Sequence, residues 1–161
     1  MKALAKFLTV VTLLLALVGF YVFYACDISI EPHAVVVESA ADQLAAFENI
    51  RYSMVVGSAS MIPFQTEIVG RPDQYVFVTY TLHLKNMNLL PAEWLQIDLE
   101  PQKGDVLMLK PAVEDVLPFN EEYITLVLMT DRSAASYQRS ATVRYYVYGH
   151  EFSRSIQLVA Q

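Results

Sequence analysis

The stretch YVFVTYTLHL, residues 75–84, decides the fold of this chain. Its large apolar side chains recur at every second position, which is the period of a β-strand with one buried face. The opposite side begins with two more aromatics, Tyr75 and Phe77, and continues with Thr79, Thr81 and His83. The sequence therefore predicts a long strand that is apolar on one face throughout and on both faces at its start. The continuous apolar row is Val76, Val78, Tyr80, Leu82 and Leu84.

Shorter segments with the same alternation lie on both sides of this strand, separated by Gly, Pro and Asn turn signals. Gly149-His150, with Gly first, predicts a two-residue hairpin loop near the C-terminus. The pattern predicts eight or nine short strands in total. The other predicted strands are 34–37, 50–56, 62–68, 95–100, 106–109, 123–130, 142–148 and 152–159.

The order of predicted elements favours an all-β fold, an antiparallel immunoglobulin-like β-sandwich, because no βαβ alternation appears. One short helix is predicted over residues 39–48, where Ser39 and Asp42 resemble a capping box. Ala40, Leu44 and Phe47 share one face of that helix. The alternative is an α+β domain in which this helix packs on a single curved antiparallel sheet.

The N-terminal segment Phe7–Cys26 contains no charged residue. As a helix it would span about 30 Å, the thickness of the hydrocarbon core of a bilayer. Lys2 and Lys6 precede it and Asp27 and Glu31 follow it, which predicts a single-pass cell-membrane protein with a cytoplasmic N-terminus and the C-terminal domain outside. The predicted division is a transmembrane signal anchor (1–26), a juxtamembrane stretch with the short helix (27–49) and an extracytoplasmic β-sandwich (50–161).

Two alternatives to an anchor are a cleaved signal peptide and a lipoprotein signal. Phe23 is bulkier than the small residue that precedes most signal-peptidase sites, and a signal peptide has a shorter apolar core. Ala25-Cys26 makes Cys26 a candidate lipidation site, although Phe23 and Tyr24 depart from the lipobox pattern. The aromatic end of the segment suits the headgroup region, so the uncleaved anchor is favoured.

Charge and composition limit the function classes. The chain has 11 basic and 17 acidic residues, and without Lys2 and Lys6 the predicted outer part has 9 against 17, a formal charge of −8. Such an acidic domain is not expected to bind nucleic acid. Cys26 is the only cysteine, so no disulfide within the outer domain is expected.

The sequence predicts no catalytic residue, metal site or cofactor, and hence no enzyme. His33, His83 and His150 are far apart and none belongs to a close-spaced pair of metal ligands. There is no G-x-S-x-G nucleophile elbow and no calcium loop pattern. The acidic pairs, such as Asp98 with Glu100, are interpreted as a solvated rim.

Aromatic residues supply the candidate interaction surface: Tyr75, Phe77, Trp94, Tyr146 and Tyr148. Tyr146 and Tyr148 alternate with Tyr145 and Val147, so the two pairs face opposite sides of a strand. An apolar second face on a sandwich strand needs a cover, which is either a partner protein or the helix near 39–48.

The segment YVFVTYTLHLKNMNLLPAEWLQIDLEPQKGD, residues 75–105, resembles bacterial immunoglobulin-like envelope modules of the CARDB type. The outline of those modules is matched by Lys85-Asn86 at a strand end, Pro91-Ala92 in a short loop and Gly104-Asp105 in a turn. The resemblance implies a sandwich fold and an adhesive or assembly role outside the cell, and it implies no catalytic residues. Such modules often occur in tandem, whereas this chain has one.

The expected function is therefore that of a membrane-anchored, extracytoplasmic β-sandwich that acts by protein–protein interaction. It would serve envelope assembly or act as an accessory subunit, with another envelope protein as its partner. The alternative is an extracytoplasmic small-ligand or ion-binding domain, in the form of a lipoprotein if Cys26 is modified.

Overall fold

The computed structural model describes residues 2–21, 26–68, 70–111 and 115–159. The aromatic end of the predicted anchor, residues 22–25, lies outside the described residues. Within the described part, two helices, eight strands and one 3₁₀ turn at Pro72–Gln74 follow one another. Their bounds are α1 Lys2–Phe20, β1 Ser29–Ser39, α2 Leu44–Val56, β2 Met61–Pro63, β3 Tyr75–Asn86, β4 Glu93–Leu99, β5 Asp105–Leu109, β6 Asn120–Asp131, β7 Arg139–Val147 and β8 His150–Leu158.

The strands form two antiparallel sheets that pack as a sandwich. One sheet has the order β1-β3-β6-β5-β2 and the other has the order β4-β7-β8. Apart from the short β2, these orders are the A-B-E-D and C-F-G orders of a constant-type immunoglobulin domain. The fold class predicted from the sequence is confirmed, and α2 and β2 are additions between the first two strands.

The main core lies between the two sheets and is built on the apolar row of β3. Val78, Leu82 and Leu84 have no exposed surface, and β6 beside β3 and β7 in the opposite sheet supply further core side chains. Burying one such aliphatic side chain contributes about 1.5–3 kcal/mol. The core residues of β6 are Ile124, Leu126 and Leu128, and those of the facing β7 are Ala141, Val143, Tyr145 and Val147.

Helix α2 covers part of the outer face of the five-stranded sheet and corrects two predictions. Residues 50–56, predicted as a strand, are helical, because Phe47, Ile50 and Met54 recur at helical spacing and face the sheet. The helix begins at Leu44 rather than at residue 39. Ser39 instead accepts hydrogen bonds in a turn, from the Ala41 amide to its side chain and from the Asp42 amide to its carbonyl.

The sandwich also begins earlier than predicted. Strand β1, which was assigned to the juxtamembrane stretch 27–49, pairs with β3 from Ser29 opposite Lys85 to Ser39 opposite Val76. The predicted strand 34–37 is thus part of a longer edge strand. The domain therefore starts within a few residues of the predicted anchor, which brings that anchor close to the sheet.

The last hairpin is shifted by one residue from its predicted position. Val147 pairs with His150, so the two-residue loop is Tyr148-Gly149 and His150 belongs to β8. Both loop residues have positive φ, 51° at Tyr148 and 77° at Gly149. A type I′ turn requires that combination, and the hairpin twist makes this turn favourable.

At the end of the sandwich where β3 begins, a buried ion pair joins the two sheets. Arg139 donates to both carboxylate oxygens of Asp105 at 2.9 and 2.6 Å, and neither side chain is exposed. Burial raises the pKa of Asp105, but hydrogen bonds from Arg139 and from the Gln102 amide outweigh it and hold the pKa below its usual value.

Candidate functional site

The five aromatic residues predicted as an interaction surface fall into two groups. Tyr75 and Phe77 are buried beneath α2, where the Tyr75 ring lies 5.9 Å from that of Phe47. This corrects their assignment to an exposed surface. The apolar second face of β3 is covered by the chain's own helix, which was the alternative explanation of these residues.

Trp94 and Tyr146 form the second group, together with the turn residue Tyr148. Trp94 is 72% exposed on the outer side of the three-stranded sheet, and its ring meets that of Tyr146 edge-on with centroids 6.0 Å apart. The Tyr146 hydroxyl donates a 3.2 Å hydrogen bond to Glu151, which raises the pKa of Tyr146. The two rings are thus held against each other on an open surface.

The backbone at Trp94 is strained. Its φ is 54°, a region that residues with a Cβ rarely adopt, and the register of β4 with β7 shifts between Glu93 and Gln96. The Trp94 amide donates a 3.0 Å hydrogen bond to the Asp115 carboxylate, which stabilises this conformation. The bulge turns an indole ring outward beside Tyr146.

Arg144, which the sequence analysis did not single out, completes this surface. It lies two positions before Tyr146 on the same face of β7 and pairs with Asp98 of β4. Trp, Tyr and Arg are the residue types that dominate binding energy at protein interfaces. We call Trp94, Arg144 and Tyr146 the Trp94 surface. The period-two pattern of residues 142–148 could have indicated Arg144, since it shares the face of Tyr146.

Cys26, the candidate lipidation site, has no exposed surface and packs in the core between the sheets. A cysteine that carried a diacylglycerol would have to leave that position. The next residue, Asp27, accepts a hydrogen bond from the buried Tyr145 hydroxyl and pairs with Arg154. The segment that follows α1 is therefore fixed to β7 and β8.

The histidines are partly brought together by folding. His83 stacks on Tyr123 with centroids 4.7 Å apart, and His33 meets the same ring edge-on at 5.0 Å. The Nε2 atom of His83 lies 3.0 Å from the Glu121 carboxylate. Among the described residues, no group of three or more His, Cys, Asp or Glu side chains is arranged to hold a metal ion.

No protein-family model matches the chain, and no curated protein sequence matches it. Some solved structures have partial similarity to the chain, and the following three have TM-scores below 0.5. The GAE domain of GGA2p from Saccharomyces cerevisiae has 14% identity and a TM-score of 0.41, covering 56% of this chain and 80% of that one. A FixG-related protein from Vibrio parahaemolyticus has 14% identity and a TM-score of 0.36, covering 63% of this chain and 94% of that one.

A third similar structure is an uncharacterized β-sandwich protein from Clostridium difficile 630. It has 5% identity and a TM-score of 0.34, and the match covers 80% of this chain and 85% of that one. All three likenesses concern the fold alone.

Proposed function

We propose that this protein is a membrane-anchored, extracytoplasmic β-sandwich that acts by protein–protein contact, as an assembly or accessory component of a cell envelope. Helix α1 would be the anchor, since its 19 residues are long and apolar enough to cross a membrane and none of them is buried against the domain. The Trp94 surface would be the contact. The single observation that carries the proposal is an exposed tryptophan held outward by a strained backbone.

The strain at Trp94 supports a binding role because the positive φ costs free energy and yet leaves the indole ring exposed. A residue held at positive φ without being glycine costs about 1–3 kcal/mol, and such outliers cluster at binding sites. In this chain the conformation leaves the largest side-chain type in water. A partner that buries the indole would recover that apolar area, and truncation of such an interface tryptophan commonly costs about 2 kcal/mol or more of binding.

The anchor would favour binding by raising the effective concentration of the domain near its partner, not by contacting the partner itself. A domain held beside the membrane meets a second membrane-bound protein at a high effective concentration, so a modest interface suffices for association. The Trp94 surface would form such a modest interface. It consists of two aromatic rings and Arg144, and polar strand residues such as Ser153 and Thr142 surround it. Polar surroundings with a few anchors are typical of non-obligate interfaces.

A photo-crosslinking residue in place of Trp94 tests the contact in membranes of the source cells. We expect one discrete crosslinked product at position 94 that weakens when Tyr146→Ser is added. Position 52, where an exposed tyrosine lies on α2, is the matched control and should give no such product. Equal products from both positions, or none from position 94, would reject the Trp94 surface as the contact.

The small-ligand or ion-binding alternative stays a prediction. A thermal shift of the full chain with calcium or with envelope glycans would favour it, and it needs no contribution from Trp94.

A further inference from the structure

We infer that the end of the sandwich nearest α1 rests in the interface of the bilayer, with three loops inserting apolar side chains among the lipid headgroups. The inference rests on the proposed function only in taking α1 as the membrane span. It adds an orientation: the domain would lie against the membrane with one end rather than hang free on its anchor.

Strand pairing brings three loops to the end where the domain begins. Ser29, the first residue of β1, pairs with Lys85, and the end of β3 at Asn86 pairs with Asn120 at the start of β6. The start of β4 at Glu93 faces Tyr146 near the end of β7. The loops 87–92, 115–119 and 148–149 therefore share one end with the segment that follows α1. We call it the proximal end.

The proximal loops expose large apolar side chains. Five of them are between 57% and 83% exposed, and they come from all three loops. At the opposite end, the described residues of loops 70–74, 100–104 and 132–138 include no exposed large hydrophobic side chain. This contrast between the ends is what contact with lipid on one side would produce. The five residues are Met87, Leu89, Leu117, Phe119 and Tyr148.

The end of α1 contacts one of these loops directly. The Tyr21 hydroxyl, immediately after α1, lies 3.4 Å from Asn88 Oδ1 and accepts a 3.3 Å hydrogen bond from the Leu89 amide. Asn88 also donates a 2.6 Å hydrogen bond to the Asp27 carbonyl. If α1 spans the membrane, its end lies at headgroup level, and Leu89 must lie near that level too.

The loops are rigid enough to present these side chains. Asn86, which is fully buried, donates 2.9 Å hydrogen bonds to the carbonyls of Leu90 and Val116 and so joins two of the loops. Phe119 and Tyr148 have φ values of 56° and 51°. With Trp94, they are the non-glycine residues at positive φ in the described part of the chain, and all three are exposed aromatics. Aromatic rings are the side chains most favoured at the membrane interface.

Two basic side chains beside the loops are paired with acids of the domain. Lys85 pairs with Glu121 at 2.6 Å, and Arg154 pairs with Asp27. Approach to a zwitterionic surface would then desolvate these two ion pairs rather than two lone cations, which lowers its cost. The acidic domain as a whole is unsuited to an anionic surface. Neutral phosphatidylcholine is therefore the lipid to test.

The test measures how deeply individual positions of the full chain lie in the bilayer. Each chain carries one environment-sensitive fluorophore and is reconstituted in phosphatidylcholine vesicles that contain nitroxide-labelled lipid. Cys26→Ala removes the native thiol, and single cysteines replace Leu89 or Tyr148 at the proximal end, Ala135 at the opposite end, or Leu14 within α1. We expect shallow nitroxides to quench the labels at 89 and 148 at least twofold more than the label at 135. The label at 14 should be quenched by nitroxides deep in the acyl chains.

The four positions separate the two proposals. Quenching at 14 with aqueous emission at 89 and 148 would overturn the docked orientation and leave the anchor in place. Absence of quenching at 14 would overturn both. A blue-shifted label at 89 without lipid quenching would mean that protein, such as a second copy of the chain, covers the loops, and it would also overturn lipid contact. The four labelled side chains are exposed, so the labels remove no core packing, and the buried Cys26→Ala change is common to all four labelled chains.

Discussion

The hydroxyl of Tyr145, in the core of the sandwich, donates a hydrogen bond to the carboxylate of Asp27, in the short segment between α1 and the first strand. The same hydroxyl accepts a 3.1 Å hydrogen bond from the Ile28 amide, and the second Asp27 oxygen pairs with Arg154. Three contacts from two strands thus hold residues 27 and 28, which follow the predicted anchor. Burial and the bond to Asp27 raise the pKa of Tyr145 well above its usual range.

Tyr145→Phe should therefore destabilise the domain although it keeps the ring. The substitution leaves the buried Ile28 amide without its acceptor and one of the two Asp27 carboxylate oxygens without its donor. We expect a cost of about 1–3 kcal/mol. The measurement is urea unfolding of the full chain in detergent. Tyr52→Phe, at an exposed position on α2, is the matched control and should change little. Equal stability of the two variants would show that the Tyr145 contacts do not hold the segment.

The thiol of Cys26 should be unreactive in the folded protein. Because it is buried between the sheets, a maleimide should label it only after denaturation, and the intact mass of membrane-extracted protein should show residues 1–161 without lipid. Loss of residues 1–25 with a diacylglycerol on Cys26 would instead establish the lipoprotein alternative. Rapid labelling of the native protein would contradict the burial.

Phe47→Ala should destabilise the domain by about 3–5 kcal/mol, because it empties the site between α2 and the sheet. Leu44→Ala, at the exposed first residue of the same helix, should have almost no effect. Denaturant unfolding of the two variants compares them directly. Equal stability of the two variants would contradict the packing of Phe47 between α2 and the sheet.

Asp105→Asn should lower stability at neutral pH and make stability less sensitive to acid. The pKa of Asp105 is lower in the folded than in the unfolded chain, so its contribution is present above the ordinary aspartate pKa of about 3.9 and is lost as the pH falls through the folded value. Breaking this buried pair with Arg139 should cost about 3–5 kcal/mol at pH 7.

The measurement is unfolding as a function of pH, in which the difference between wild type and Asp105→Asn should shrink below pH of about 4. Asp73→Asn, in the exposed pair with Arg71, is the control and should follow the wild type. A constant difference across the acid range would contradict the role of the Asp105 carboxylate.

The sandwich could be predicted from the sequence because strands in both sheets have period-two patterns that no helix would bury. Val76 to Leu84 and Leu95 to Leu99 became β3 and β4 with the expected inner faces. Residues 50–56 were predicted wrongly because Ile50 and Met54 fit both a period of two and a helical spacing. Phe47, just outside that window, resolves the ambiguity in favour of the helix.

The candidate site was less predictable, because its main features depend on contacts between distant residues. The positive φ of Trp94 depends on a bulge and on Asp115, neither of which has a local sequence signal. The proximal end depends on which strands pair, so Leu89 and Phe119 are separate loop residues in the sequence and neighbours in topology. Tyr75 and Phe77 were predicted as surface residues because the pattern of β3 alone does not decide between a partner protein and the helix as their cover.

Thiol accessibility in intact cells tests the central claim most directly, because the proposed function requires the sandwich to lie on the outer side of the membrane. Single cysteines at Ala3 and Ala135 in a Cys26→Ala chain would be treated with a membrane-impermeant maleimide before and after permeabilisation. We predict labelling of position 135 in intact cells and labelling of position 3 only after permeabilisation. Position 135 labelled only in permeabilised cells would contradict an anchored domain held outside.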